Sequence, residues 1–190
     1  YRTLAYFMKE NDIDLDNFVE NQDLIKNRFK VSFNAGTPGE PVQVFFEDND
    51  ITSIIRTEEM AKLTSNLAAE RVIRDFIKPC QREFMIAPGL IADGRDMGSV
   101  IFSDAKYKIF LTASADERAK RRQTQLKRLG LEVNMPDLLR ELNERDRKDM
   151  ERQYSPLVPA EGSVIIDTSD LNPEGVVKEI KTYLKKEYGS

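Results

Sequence analysis

The chain has 190 residues, 40% of them hydrophobic and 33% charged, with a net charge of −4, a single cysteine and no histidine. That is enough length and apolar content for one core domain carrying small insertions, and too much apolar content for a disordered chain of modest charge. It excludes an internal disulfide framework, argues against duplex nucleic-acid binding, which needs a basic footprint, and removes the commonest transition-metal ligand and neutral-pH base.

No run approaches the roughly 20 apolar residues of a membrane span, and the start carries no charged-then-apolar leader, so a cytoplasmic protein is expected. The first residue is Tyr1, and an amphipathic run begins at once. Residues 3–9 read as a helix, and residues 16–26 place Phe18, Val19, Leu24 and Ile25 at helical spacing. From Arg28 the period changes to two, with Val31 and Phe33, then Val42, Val44 and Phe46, separated by the turn residues Gly36-Thr37-Pro38-Gly39. A third run, residues 51–55, follows Asp48-Asn49-Asp50, so a small antiparallel sheet is expected here.

Thr57 with Glu58 and Glu59 opens the next helix, which should run past Val72 toward Phe76. Cys80 reads as a structural or surface thiol. After Pro88-Gly89, residues 90–93, 109–111 and 164–167 are short apolar runs of the kind that form buried parallel strands. Helices are expected from Ser114, with Glu117 completing a capping box, from Pro136, and from Pro173 to Tyr188. Strands alternating with helices imply an α/β fold with a parallel sheet.

Three constellations carry chemistry. The first is Asp93-Gly94-Arg95-Asp96-Met97-Gly98 after an apolar run, where open parallel sheets place ligand groups. Two glycines permit close backbone approach, and Arg95 offers a planar fork for phosphate; a turn with a surface ion pair fits the same residues. The second is Arg118, Arg121 and Arg122, gathered on one helix side at i, i+3 and i+4, a spacing that a solvated face also has. The third is the stripe Leu138, Leu142, Arg145, Asp149 and Arg152, which begins apolar and ends charged. Such a face suits a helix leaving packed protein for a polar cavity, or an intrahelical salt-bridge ladder. With no histidine, nucleophile elbow or paired cysteines, the inventory suits phosphoryl transfer, which works by positioning and by charge stabilisation.

These segments, together with Glu144-Arg145-Asp146 and Ser155-Pro156-Leu157-Val158-Pro159-Ala160, resemble the bacterial-type cytidylate kinases among the nucleoside-monophosphate kinases, nearly end to end. Tyr1-Arg2, Arg56-Thr57 and Ser65 also fall where that family's pattern has them. The resemblance implies a P-loop kinase core with a small antiparallel-sheet insertion for the monophosphate and a short helical lid: core helices over 1–27, the insertion over 28–80, core over 81–117, lid over 118–153 and core over 154–190. It implies Asp96, Ser65 and Arg74 as readers of cytosine, Asp149 with Arg145 on the ribose, Arg2, Arg95 and Arg152 around the acceptor phosphate, and Tyr1 as a further substrate-binding residue. Arg118, Arg121 and Arg122 would be lid arginines over the ATP phosphates, and Asp93 would hold a water of Mg²⁺. The substrates implied are ATP with CMP or dCMP, handled by a monomer without nucleic-acid polymer or membrane.

The departure from the family is the absence of any Gly-x-x-x-x-Gly-Lys-Ser/Thr in this sequence, so the chain is expected to lack a first strand and phosphate loop and, as it stands, to be inactive. Lys148 stands where the family usually has another arginine. A nucleotide-binding module without catalysis, and a kinase for another monophosphate such as UMP, remain open alternatives.

Overall fold

The computed structural model describes residues 1–34, 42–128, 130 and 132–188. The chain divides into two units, Tyr1–Cys80 and Gln81–Ser190.

In the first unit, α1 (Arg2–Glu10) turns Leu4, Ala5, Phe7 and Met8 inward. The next helix, α2 (Gln22–Arg28), is shorter than the expected 16–26. The Asp14 carboxylate accepts the N–H groups of Asp16 and Asn17, and the Asn17 side chain accepts from Asp14, so side chains take the backbone groups that a helix start would use. Strands β1 (Val31–Asn34), β2 (Gln43–Phe46) and β3 (Asn49–Asp50) form the small antiparallel sheet in that order, with Val31 opposite Phe46 and Phe46 opposite Asn49. The turn expected at residues 36–39 lies outside the described residues.

The expected strand at 51–55 is instead a bend and a 3₁₀ turn, Ile54–Arg56. Glu47 and Asp48 make a tight turn at positive φ, which starts the third strand early. The Thr52 hydroxyl then takes the Val44 N–H at 2.8 Å and ends the ladder. Thr57 caps α3 (Glu58–Leu67) as its sequence suggests, accepting from the Met60 N–H at 3.3 Å. The single helix expected through Phe76 is two, because the chain tightens after Leu67 and restarts as α4 (Arg71–Glu83). The Arg74 Nε donates to the freed Ala68 carbonyl at 2.5 Å, which satisfies the break.

In the second unit, residues 90–93 are not a strand. A parallel strand persists only when paired and covered, yet Ile91 is fully exposed and Leu90 is 42% exposed. A single wide helical turn, Met97–Ile101, follows. The parallel sheet is β4 (Ile109–Thr112) beside β5 (Val164–Asp167), in register Ile109 to Val164. Between them α5 (Ala115–Arg128) packs against α6 (Met135–Glu151), and α7 (Pro173–Tyr188) closes the chain. The capping box at α5 forms by half: Ser114 Oγ accepts the Glu117 N–H at 3.2 Å, while the Glu117 carboxylate pairs with Arg121 and Ser169 Oγ takes the Ser114 N–H.

Candidate functional site

In the second unit five charged side chains alternate in sign. Arg118 of α5 donates to Asp146 Oδ2, and Asp146 Oδ1 lies 3.8 Å from Arg95 Nη2. Arg95 Nε in turn lies 3.1 Å from Asp149 Oδ2, and Asp149 Oδ1 lies 3.3 Å from Arg152 Nη1. Three guanidinium groups thus share two carboxylates, so the string keeps one net positive charge in partly desolvated surroundings. That is an arrangement that attracts an anion.

The backbone around the string is held from several sides. Arg118 Nε donates to the Ala113 carbonyl at 3.3 Å, just ahead of α5. Arg152, whose side chain is only 7% exposed, ends α6 and donates through Nε to the Ser155 carbonyl. The Leu157 N–H returns to the Asp149 carbonyl at 2.8 Å, which folds residues 155–160 back along the helix end. Gly98 permits a close approach to that same segment, since a Cβ there would stand 3.3 Å from the Ala160 Cβ. The two sequence segments 93–98 and 155–160 therefore meet beside the charged string.

Asp149 Oδ2 is buried yet accepts no hydrogen bond among the described residues: Arg95 is close but not aligned on it. A buried carboxylate oxygen without a donor is uncommon, and the groups that suit it are N–H or O–H donors from a ligand.

The other residues singled out in this unit are placed differently. Asp96 is buried at the start of the wide turn, where its carbonyl accepts the Val100 and Ile101 N–H groups. Arg121 directs its donors to Thr168 Oγ1, the Thr168 carbonyl and the Leu171 carbonyl, with Nε on Glu117. Arg122 reaches Gln125 at 3.5 Å. Arg145 stands exposed, outside the string, and Asp93 is exposed. Among the described residues no three His, Cys, Asp or Glu side chains gather where they could hold a metal ion.

In the first unit, Arg2 Nη1 donates to the Ile55 carbonyl at 2.6 Å. Arg74 is buried, with its guanidinium over the Tyr1 ring at 5.5 Å and Nη1 3.5 Å from the Tyr1 hydroxyl. Ser65 is half-buried on α3. Tyr1 and Arg74 are thus brought together within this unit.

The residue to which sequence reasoning gave no role is Asp146. The inward row of α6 continues Leu138, Leu142, Asp146 in steps of four, whereas the expected stripe stepped from Leu142 to Arg145. Both lie within a 3.6-residue period, and the face turned toward α5 and Arg95 selects Asp146. The sequence signal was the unbroken i, i+4, i+8 spacing.

A family model described as cytidylate kinase matches residues 1–186. A cytidylate kinase of Shewanella oneidensis is 44% identical over 190 residues, which are 100% of this chain and 82% of that protein. Cytidylate kinases of Shewanella sp. strain MR-4 and Shewanella baltica strain OS155 are 45% and 47% identical over 186 and 169 residues, covering 98% and 89% of this chain and 80% and 73% of theirs.

Proposed function

This chain belongs to the cytidylate kinase family, and from that premise we propose that it transfers the γ-phosphoryl group of ATP to CMP or dCMP, giving ADP and CDP or dCDP. The observation that carries the reading is the charged string, in which Asp149 stands between Arg95 and Arg152 with a buried oxygen that accepts no hydrogen bond among the described residues. A ribose hydroxyl can donate to that oxygen, and Arg95 and Arg152 on either side of it can pair with a phosphate.

The transfer needs no strong base, because the attacking phosphate oxygen is already ionised near neutral pH. That oxygen forms a bond to the γ-phosphorus, the bond to the β–γ bridging oxygen breaks, and ADP leaves with the electron pair. Arg2, Arg95 and Arg152 orient the acceptor phosphate, with Tyr1 beside Arg2. Arg118 and Arg122, with Arg121 behind them, offset charge on the transferred group. Asp149, with Arg145, holds the ribose, and Asp96, Ser65 and Arg74 read the cytosine edge, which needs acceptors and donors together. Mg²⁺ would enter with the donor substrate as MgATP and would offset charge on its phosphates, and Asp93 would hold one of its waters.

The experiment is an ADP-release assay on the full-length protein with CMP, dCMP, UMP and AMP. CMP and dCMP are expected to be the better acceptors. Equal rates with all four overturn base reading, and nucleotide binding without ADP release with any of them establishes a binding module instead.

A further inference from the structure

We infer that Asp146 is a positioning residue for phosphoryl transfer, a buried carboxylate that fixes Arg118 beside Arg95 so that the guanidinium group assigned to the transferred phosphoryl group stands next to one assigned to the acceptor phosphate. The inference rests on the proposed phosphate role of those arginines.

Arg95 lies in the turn before the Met97–Ile101 segment and Arg118 in the first turn of α5. Two cations from separate elements repel at close range unless a counter-charge stands between them. Asp146 divides its oxygens between the two, Oδ2 to Arg118 and Oδ1 toward Arg95 at 3.8 Å. Because one anion serves both, the string that continues through Asp149 to Arg152 keeps one net positive charge; a further carboxylate would leave it neutral and poorly suited to a phosphate.

Burial runs the same way. The Asp146 side chain is 9% exposed, against 33% for Arg118 and 40% for Arg95. The anchor is inside and the cations reach outward, so long, rotamer-rich side chains are held before a ligand arrives.

Stability alone does not account for Asp146. It continues a row that starts with Leu138 and Leu142, and it lies in the second half of α6, nearer the end of a helix that disfavours negative charge. Burying an ion pair is often no better for stability than an apolar side chain of similar size. A leucine would extend the row; a carboxylate there is explained by what it holds.

Asp149 does not duplicate this role, since it pairs with Arg95 and Arg152 and has no contact with Arg118 among those described. Loss of Asp146 therefore leaves Arg95 tethered through Asp149, while Arg118 loses its side-chain partner and keeps the Nε bond to the Ala113 carbonyl.

The test is a double-mutant cycle in the full-length protein, assayed with CMP and ATP. Asp146→Asn is expected to lower kcat about tenfold or more, the usual cost of losing a charge-assisted hydrogen bond, while the CMP KM moves less than about threefold. In an Arg118→Ala background the same substitution should change kcat less than about twofold, because the partner it acts through is gone. An equal loss in both backgrounds overturns the inference, as does an unchanged kcat with a lower melting temperature, which makes Asp146 a structural bridge. If Arg118→Ala alone leaves kcat unchanged, the phosphate role of Arg118 has failed, and the inference falls with it by a separate, recognisable route. Should Asp146→Asn not fold at assay temperature, the cycle is run with Asp146→Glu. Its longer carboxylate displaces Arg118 and should lower kcat about threefold only where Arg118 is present.

Discussion

Tyr1–Cys80 is organised around apolar side chains, whereas the described interior of Gln81–Ser190 is organised around charge. Fifteen buried apolar residues from Leu4 to Ile77 form one cluster in the first unit, with Phe46 in ring contact with Tyr6, Phe7 and Phe29. In the second the buried apolar residues are Ile101, Phe102, Ala119, Leu126 and Leu138, and the string from Arg118 to Arg152 lies alongside them. Apolar contact is non-directional and tolerates rearrangement, while paired charges hold geometry and lose value when one partner leaves. The first unit is thus built for stability of its own sheet and helices, and the second for holding charged groups in place.

Substitutions can break or sharpen that contrast. The largest stability effect is expected from Phe7→Ala, which opens a cavity beside the Phe29 and Phe46 rings and should cost about 3–5 kcal/mol in urea unfolding; a cost near that of an exposed residue would remove the apolar-core description. Asp149→Ala should act in the opposite manner, raising the acceptor KM about tenfold or more in steady-state assays. An unchanged KM with a lowered melting temperature would make Asp149 a salt-bridge residue only. Next, Arg74→Lys keeps the charge but loses the Nε bond to Ala68 and the flat face over Tyr1, at a cost of about 1 kcal/mol. If the CMP-to-UMP rate ratio stays fixed as stability falls, Arg74 holds the α3–α4 break and does not read the base.

The smallest effect concerns the exposed Arg82–Asp104 pair. The Arg82 guanidinium, bonded to both Asp104 oxygens at 3.0 Å, holds that carboxyl down to about 2 from 3.8. A lowered folded pKa contributes stability above the unfolded value and loses it as pH falls toward the folded one. The melting-temperature difference between wild type and Asp104→Asn should therefore be present at pH 7 and shrink between about pH 4 and pH 2. Because the pair faces water, the difference is small at any pH.

Much of the local architecture is legible in the residues. The change to period two at Val31, the Thr57 cap, the apolar runs at 109–111 and 164–167, and the helix from Pro173 all correspond to elements in place. What is not legible turns on side chains that intercept backbone groups or on contacts distant in sequence. Asp14 and Asn17 delay α2, and Thr52 ends the third strand, each through one carboxylate, amide or hydroxyl oxygen with local reach. The run at 90–93 has strand composition, but composition does not supply a hydrogen-bonded neighbour. For the site, the sequence marks Arg95, Asp149 and Arg152, while Asp146 emerges only once α5 and the Arg95 turn select a face of α6.

Arg121 has a mechanical consequence. Its guanidinium fastens the second turn of α5 to the backbone that follows β5, at Thr168 and Leu171, and Ser169 holds the Ser114 N–H at the start of the same helix. A swing of α5 as a rigid rod would have to unfasten all of these at once. Bending that leaves them intact must pivot beyond residue 121, so the far end of α5 can travel while Arg118 stays with the sheet. A spin label at Lys127 should therefore report wider motion than one at Asp116.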